Sequence, residues 1–95
     1  MLTSGGLTGR NVMQANYADG RFQKTQPGGW QEFNAVGEAT FSFQETARDD
    51  WSVYLIDPSR NLQIQIDIHR KMISWGQNNG PRSDLYPIVS MARAQ

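Results

Sequence analysis

The chain has 95 residues, of which nine are lysine or arginine and nine are aspartate or glutamate, so its formal net charge is zero. This length predicts one domain with one hydrophobic core. The absence of cysteine excludes disulfides, thiolate catalysis and zinc sites of the cysteine type. Nucleic acid is not expected as a partner, because its binding depends on an excess of lysine and arginine.

The first residues and the hydropathy of the chain bear on where the protein acts. No segment reaches the roughly 20 apolar residues of a membrane-spanning helix. Residues 1–9 lack the basic start and the apolar stretch of a signal peptide. We therefore expect a soluble protein with no membrane partner, cytoplasmic rather than secreted. Residues 1–9 are expected to be a flexible lead, and residues 10–95 a single all-β domain.

The first half of the chain alternates short apolar segments with turn residues. Strands are predicted over residues 11–17, 21–25, 30–33 and 39–45. Turns are predicted at Asp19-Gly20, at Gln26-Pro27-Gly28-Gly29 and at residues 34–37. Within residues 39–45, Phe41 and Phe43 share one face with Ala39, a period of two that is typical of a half-buried strand.

The second half contains the clearest strand of the sequence, over residues 62–69. Its one face carries Leu62, Ile64, Ile66 and Ile68, and its other face carries Gln63, Gln65, Asp67 and His69. The preceding segment, residues 51–56, has bulky side chains on both faces and predicts a covered strand. Residues 69–71 are interpreted as a tight reversal into a further strand that reaches Trp75, with continuation through a bulge as the alternative.

The C-terminal segment allows two interpretations. Ser83 or Asp84 could cap a helix with an apolar stripe, whereas Pro87 disfavours helical backbone at Tyr86 and favours a short edge strand over residues 86–90. We favour the strand. The elements together predict an all-β fold, a single small antiparallel meander of about seven strands in a curled sheet or open barrel.

His69 is the chain's one histidine and shares a predicted strand face with Asp67. A metal site would need further ligands such as Gln65, and no cysteine is present, so we expect no metal and no other cofactor. A small hydrolase that uses Asp67 and His69 is a third hypothesis. No Gly-x-Ser-x-Gly element presents a nucleophile, so we do not expect an enzyme.

The aromatic residues give the leading functional hypothesis. Trp30 and Trp75 lie beside loops, and Trp51 directly follows two aspartates. Core packing is the usual role of tryptophan, but an exposed indole can stack on a sugar ring while carboxylates accept hydrogen bonds from hydroxyls. The sequence thus predicts a non-enzymatic binding module for a carbohydrate or other polar small ligand. The candidate ligand-binding residues are Trp30, Asp49, Asp50, Trp51, Gln63, Gln65, Asp67, His69 and Trp75.

The alternative hypothesis belongs to another class. An open meander has edge strands that can pair with a second chain, unless charge or proline prevents it. The protein would then be a structural or interaction domain that self-associates through its sheet, and a homodimer is compatible with either hypothesis.

Overall fold

A computed structural model describes residues 7–78 and 80–93, and strands are the regular secondary structure of this part of the chain. The strands are β1 (Val12–Tyr17), β2 (Gly20–Gln26), β3 (Gly29–Asn34), β4 (Ala39–Arg48), β5 (Ser52–Asp57), β6 (Leu62–Asp67), β7 (Met72–Gln77), β8 (Ser83–Pro87) and β9 (Ser90–Arg93). They form one antiparallel sheet in the order β8-β7-β6-β5-β4-β3-β2-β1-β9. The predicted all-β antiparallel meander is confirmed, with nine strands among the described residues rather than about seven.

The C-terminal segment supplies both outer strands of the sheet. β8 pairs with β7 and β9 pairs with β1, although only Ile88 and Val89 separate them in the chain. The amide of Ile88 donates to the carbonyl of Lys71 at 2.8 Å, and the amide of Val89 donates to that of Asn16 at 2.8 Å. Because one short segment contacts both ends of the sheet, the sheet curls into a half-barrel. Strand rather than helix is confirmed for this segment, but the single edge strand predicted over residues 86–90 is wrong in its bounds, because Ile88 and Val89 separate two strands that pair at different ends of the sheet.

The tight reversal predicted after the isoleucine-rich strand is also confirmed. β6 ends at Asp67, two residues earlier than the sequence suggests, because the Asp67 carboxylate accepts a hydrogen bond from the Arg70 amide at 3.0 Å. Lys71 then adopts a left-handed backbone with φ of 56°. β7 returns in register with Asp67 opposite Met72.

The core lies on the inner face of the curl, to which β5 and β6 contribute alternate residues, whereas β4 contributes Phe43 alone. Its members are Val12, Ala15, Tyr17, Phe22, Trp30, Phe43, Val53, Leu55, Ile64, Ile66, Ile73 and Ile88. Branched aliphatic residues dominate β5 to β7, and aromatic residues dominate β2 to β4. The aromatic residues of β2 and β4 form one side of the site described below.

The predicted flexible lead falls mainly on residues 1–6, which lie outside the described residues. Of the rest, Leu7 packs against the core, and the amide of Gly9 donates to the carbonyl of Asp50 at 2.9 Å. A Cβ at position 9 would lie 2.2 Å from the Asp49 carbonyl oxygen, so this contact requires glycine.

In the described ranges, no helix has the length and apolar character needed to cross a membrane.

Candidate functional site

Residues of β2 to β4 and of β6 to β8 line a cavity of about 280 Å³, called here the inner cavity. Its walls are mostly aromatic and aliphatic, and Glu32 and Arg60 are its two charged members. The full lining is Phe22, Glu32, Phe41, Phe43, Arg60, Leu62, Ile64, Trp75, Leu85 and Tyr86. A small apolar cavity with a few polar groups is the usual form of a site for a small molecule.

Strand register explains why these side chains meet. Phe22 is paired with Glu32 across β2 and β3, and Glu32 is paired with Phe41 across β3 and β4. Directly paired residues project to the same face of a sheet. Ile64 and Trp75 are paired in the same way across β6 and β7. The backbone therefore directs a charged residue, Glu32, to the inner face among aromatic neighbours.

Arg60 reaches the inner cavity from the turn between β5 and β6. Its Nε donates to Asp57 Oδ2 at 2.6 Å, and its guanidinium carbon lies 3.9 Å from the ring centre of Phe41. Its Nη2 is buried and has no hydrogen-bond partner in the described part of the chain. A buried donor left in this state costs about 1–3 kcal/mol. The guanidinium is therefore a donor that a ligand could satisfy.

Asp57 holds Arg60 in this position. The hydroxyl of Ser59 donates to Asp57 Oδ1 at 2.6 Å, and the Ser59 amide donates to the same oxygen at 3.0 Å. These bonds, with that from Arg60, lower the pKa of Asp57 although burial opposes the shift. The carboxylate is thus charged and compensates the charge of Arg60.

Glu32 is the second charged group of the cavity. The hydroxyl of Tyr17 donates to Glu32 Oε2 at 2.5 Å, and the ring of Tyr17 stacks on that of Tyr86 at 4.0 Å between ring centres. Burial, reinforced by Glu32, raises the pKa of Tyr17 above its usual range. Tyr17 is therefore a permanent donor that holds the Glu32 carboxylate at the cavity wall.

A different polar cluster surrounds Glu45, which follows Phe41 and Phe43 on the same face of β4. Glu45 Oε1 accepts from Trp30 Nε1 at 2.9 Å, from Arg48 Nη2 at 2.7 Å and from Lys24 Nζ at 3.4 Å. Burial alone would raise the pKa of Glu45, but the bonds from Arg48 and Trp30 and the charges of Arg48 and Lys24 outweigh it and lower the pKa to about 2. This cluster is internally satisfied and has a structural role.

The tryptophans predicted as ligand-binding residues lie in three different environments. Trp30 is a core residue with 1% exposure, bonded to Glu45 as described above. Trp75 lines the inner cavity. Trp51 is 61% exposed at the end of the sheet, and its ring lies edge-on to His69 with 5.0 Å between ring centres.

The two predicted aspartates belong to the turn that carries Trp51. Asp49 Oδ1 accepts from the amides of Trp51 and Ser52 at 2.9 and 2.8 Å, and Asp49 Oδ2 accepts from the Tyr54 hydroxyl at 3.2 Å. Asp50 forms an exposed ion pair with Arg10 at 2.6 Å. Asp49, Asp50, Trp51 and His69 therefore lie together, with Asp49 occupied by its own turn.

The remaining predicted residues lie on the outer face of β6. Gln65 Nε2 donates to Ser52 Oγ at 3.0 Å, and Gln63 Nε2 donates to Asn61 Oδ1 at 3.2 Å. Asp67 accepts from the amide and from Nε of Arg70, while His69 contacts Trp51. No Asp67–His69 hydrogen bond joins them within residues 7–78. Over the described ranges, no group of three or more histidine, aspartate or glutamate side chains is placed to hold a metal ion.

Sequence reasoning missed Arg60 and Glu32, the two charged residues of the inner cavity. A signal for Glu32 was present, since it is two residues from Trp30 and thus on the same strand face. Arg60 lies in a turn, and no periodic pattern indicates where such a side chain extends.

Comparison with known proteins adds no relative: no family model, no curated protein and no solved structure matches this chain.

Proposed function

We propose that this protein is a non-enzymatic binding module that holds a small, neutral, ring-shaped ligand with a hydroxyl or carbonyl group in the inner cavity. The observation that carries the proposal is the buried, unpartnered Nη2 of Arg60, a residue that lines a mostly aromatic and aliphatic cavity. Buried polar groups are nearly always hydrogen-bonded in folded proteins. A ligand that supplies an acceptor would complete this bond.

The charges of the cavity favour a neutral ligand. Asp57 already compensates Arg60, and Glu32 places a carboxylate in the same cavity. An anionic ligand would therefore meet a second negative charge without an uncompensated positive one. A hydroxyl group suits both residues, because it can accept from Arg60 and donate to Glu32.

The walls favour a ring. Phe41 and Trp75 offer aromatic surface, and a cavity of about 280 Å³ is small enough to favour a compact ligand. A sugar or a hydroxylated aromatic ring meets these requirements. The proposal thus retains the polar small ligand expected from the sequence but moves its site from the Trp51 turn to the inner cavity.

Tryptophan indole signals in ¹H–¹⁵N spectra test the proposal, because Trp30, Trp51 and Trp75 report on three separate places. The probes are phenol, toluene and benzoate, added to the uniformly labelled protein, with each signal assigned from a tryptophan-to-phenylalanine variant. We expect phenol to move the Trp75 signal at lower concentration than toluene or benzoate, and the Trp51 signal to stay in place. A response of Trp51 alone, or of no indole, would overturn the proposal.

A pair of arginine variants serves as the matched control. Arg60→Met keeps an unbranched apolar side chain against Phe41 but removes the donor, so we expect it to abolish the preference for phenol over toluene. Arg82→Met removes an arginine whose Nη1 donates to Gln65 on the outer face, and we expect it to leave that preference unchanged.

Self-association through the sheet is a second candidate, and one observation favours it. The outer strands β8 and β9 each pair on one side only, and Val89 between them is 68% exposed. Sedimentation velocity over a hundredfold range of concentration tests it. A sedimentation coefficient that stays at the monomer value would refute this second candidate.

A further inference from the structure

Glu32 has a carboxylate oxygen without a hydrogen-bond partner in the described part of the chain. Its Oε2 accepts from the Tyr17 hydroxyl at 2.5 Å, whereas its Oε1 accepts no hydrogen bond from any described residue. The Glu45 carboxylate, on the same face of the sheet, accepts from an indole and from two cations. Glu32 is half-buried and lines the inner cavity. A half-buried carboxylate oxygen of this kind is stabilised by a further donor.

Phe41 lies next to both charged residues of the inner cavity. Glu32 is its direct partner across β3 and β4, and the guanidinium carbon of Arg60 lies 3.9 Å from the centre of its ring. The described chain contains no ion pair between Arg60 and Glu32, and Arg60 pairs with Asp57 at 2.6 Å instead. The cavity therefore combines a hydrogen-bond donor and a separate acceptor, both near one aromatic ring.

Tyr17 shows which type of hydroxyl Glu32 binds. The phenolic hydroxyl of Tyr17 donates to Glu32, and its ring stacks on Tyr86 with 4.0 Å between ring centres and 2° between ring planes. A phenolic hydroxyl is more acidic than the hydroxyl of an alcohol, so it is the stronger donor to a carboxylate. A phenolic hydroxyl of a ligand would bind the second oxygen of Glu32 in the same way.

From these observations we infer that the ligand of the inner cavity is an aromatic ring with two hydroxyl groups, one accepting from Arg60 and the other donating to Glu32. The inference rests on the proposed function, because it assigns the chemical class of the ligand of that site. A sugar carries several alcohol hydroxyls, and the other polar side-chain groups of the lining are the Tyr86 hydroxyl and the Trp75 indole nitrogen. Hydroxyls that are buried without a partner are costly, so the cavity favours the aromatic ring over the sugar.

The three positional isomers of dihydroxybenzene test the inference, because they differ only in the separation of their two hydroxyl groups. The probes are phenol, catechol, resorcinol, hydroquinone and free glucose, in oxygen-free buffer that prevents oxidation. Isothermal titration measures each affinity, and ¹H–¹⁵N spectra report the site. We expect at least one isomer to bind about tenfold or more tightly than phenol, a gain of about 1.4 kcal/mol. That isomer should move the Trp75 indole signal and leave the Trp51 signal in place.

Glu32→Gln isolates the second hydroxyl contact. The substitution keeps the size of the side chain but removes the charge, so we expect the isomer to lose most of its advantage over phenol, while phenol keeps its preference over toluene. Glu38→Gln is the matched control, because Glu38 is exposed between β3 and β4 and accepts from Asn34 at 3.0 Å. This control should keep the full advantage. The dispersion of the amide spectrum verifies the fold of both variants, and the ranking of the isomers needs no variant.

The outcomes separate this inference from the proposed function. If phenol moves the Trp75 signal but no isomer binds more tightly than phenol, the inference is overturned and the inner cavity stands as a site. Glucose that moves the Trp75 signal and binds more tightly than every isomer has the same consequence. If no probe moves the Trp75 signal, both are overturned. An isomer that keeps its full advantage in Glu32→Gln overturns the role assigned to Glu32.

Discussion

Two arginine–carboxylate pairs, Glu45–Arg48 and Asp57–Arg60, differ in how completely their polar atoms are used. In the first, Arg48 donates Nε and Nη2 to Glu45 and Nη1 to the carbonyl of Arg10. In the second, Arg60 donates Nε to Asp57 while its Nη2 is buried without a partner. Arg48 therefore donates hydrogen bonds from all three of its side-chain nitrogens, whereas Arg60 has a buried nitrogen without a partner.

The difference separates a structural role from a binding role. A charge cluster whose donors and acceptors are all paired stabilises the fold once formed, because breaking it leaves a buried group without a partner. A cluster with an unpaired donor contributes less to stability, and that donor can form a hydrogen bond with a ligand. We therefore expect changes at Glu45 or Arg48 to affect mainly folding, and changes at Arg60 to affect mainly binding.

Glu45→Gln should lower the free energy of unfolding more than any other variant considered below. The substitution keeps the shape of the side chain but removes the negative charge that faces Arg48, Lys24 and the Trp30 indole, so we expect a loss of about 3 kcal/mol in the free energy of unfolding. Urea denaturation followed by far-ultraviolet circular dichroism measures it.

The control for this variant is Asp50→Asn at the exposed pair with Arg10. Both side chains of that pair are more than 60% exposed, so we expect a loss below about 1 kcal/mol. Equal losses in the two variants would contradict the saturated character of the Glu45 cluster.

The Glu45 cluster should also determine how the stability of the unmodified protein changes with pH in acid. The pKa of Glu45 is lowered to about 2 from 4.5, so its stabilisation is complete above the unfolded value and is lost as the pH falls toward 2. Between pH 5 and pH 3 this one group should remove about 2 kcal/mol of stability. Urea midpoints measured across this interval test the sign and the size.

Glu45→Gln again separates this group from the others. Its stability should fall less steeply over the same interval, with the remaining slope due to Asp49, Asp57 and Asp84, whose pKa values are also lowered. Parallel curves for the variant and the unmodified protein would show that the acid response arises elsewhere.

Arg60→Met and Arg48→Met compare the two pairs directly. We expect Arg60→Met to cost about 1 kcal/mol, because the loss of its bond to Asp57 is offset by removal of the unpaired donor. Arg48→Met should approach the loss seen at Glu45, since it removes both arginine bonds to that carboxylate and leaves the carbonyl of Arg10 without its donor, with Lys24 at 3.4 Å as the remaining cation. If both arginine variants lose the same stability, Arg60 is as structural as Arg48 and its availability to a ligand is refuted.

The sequence predicts the strands and turns of this protein from local patterns, and the charged residues of the inner face show what the same patterns indicate about polar clusters. Period-two alternation predicts β4 and β6, and proline and glycine predict the turns, because both signals depend on local backbone geometry. The same alternation places Lys24, Glu32 and Glu45 in phase with Phe22, Trp30 and Phe43. Charged residues in phase with the buried residues of a strand are therefore a sequence signal for polar clusters on the inner face.

Other features depend on distant contacts that no local pattern records. The division of the C-terminal segment between β8 and β9 follows from its pairing with β7 and β1, which lie far apart in sequence. Trp30 and Trp75 look alike beside their loops, but Trp30 meets Glu45 whereas Trp75 meets a cavity. Sequence alone therefore predicted the sheet better than the location of its binding groups.

Trp51→Ala should change the free energy of unfolding least among these variants. It tests the exposed turn of Trp51 against the inner cavity. The indole is 61% exposed, and its one ring contact with the described residues is the edge-on approach to His69, so we expect a stability change within about 0.5 kcal/mol. Phenol binding should also be unchanged in this variant, since Trp51 is not part of the inner cavity. A loss of phenol binding in Trp51→Ala, with Arg60→Met still binding, would place the ligand at the outer turn and reverse the roles assigned to the two surfaces.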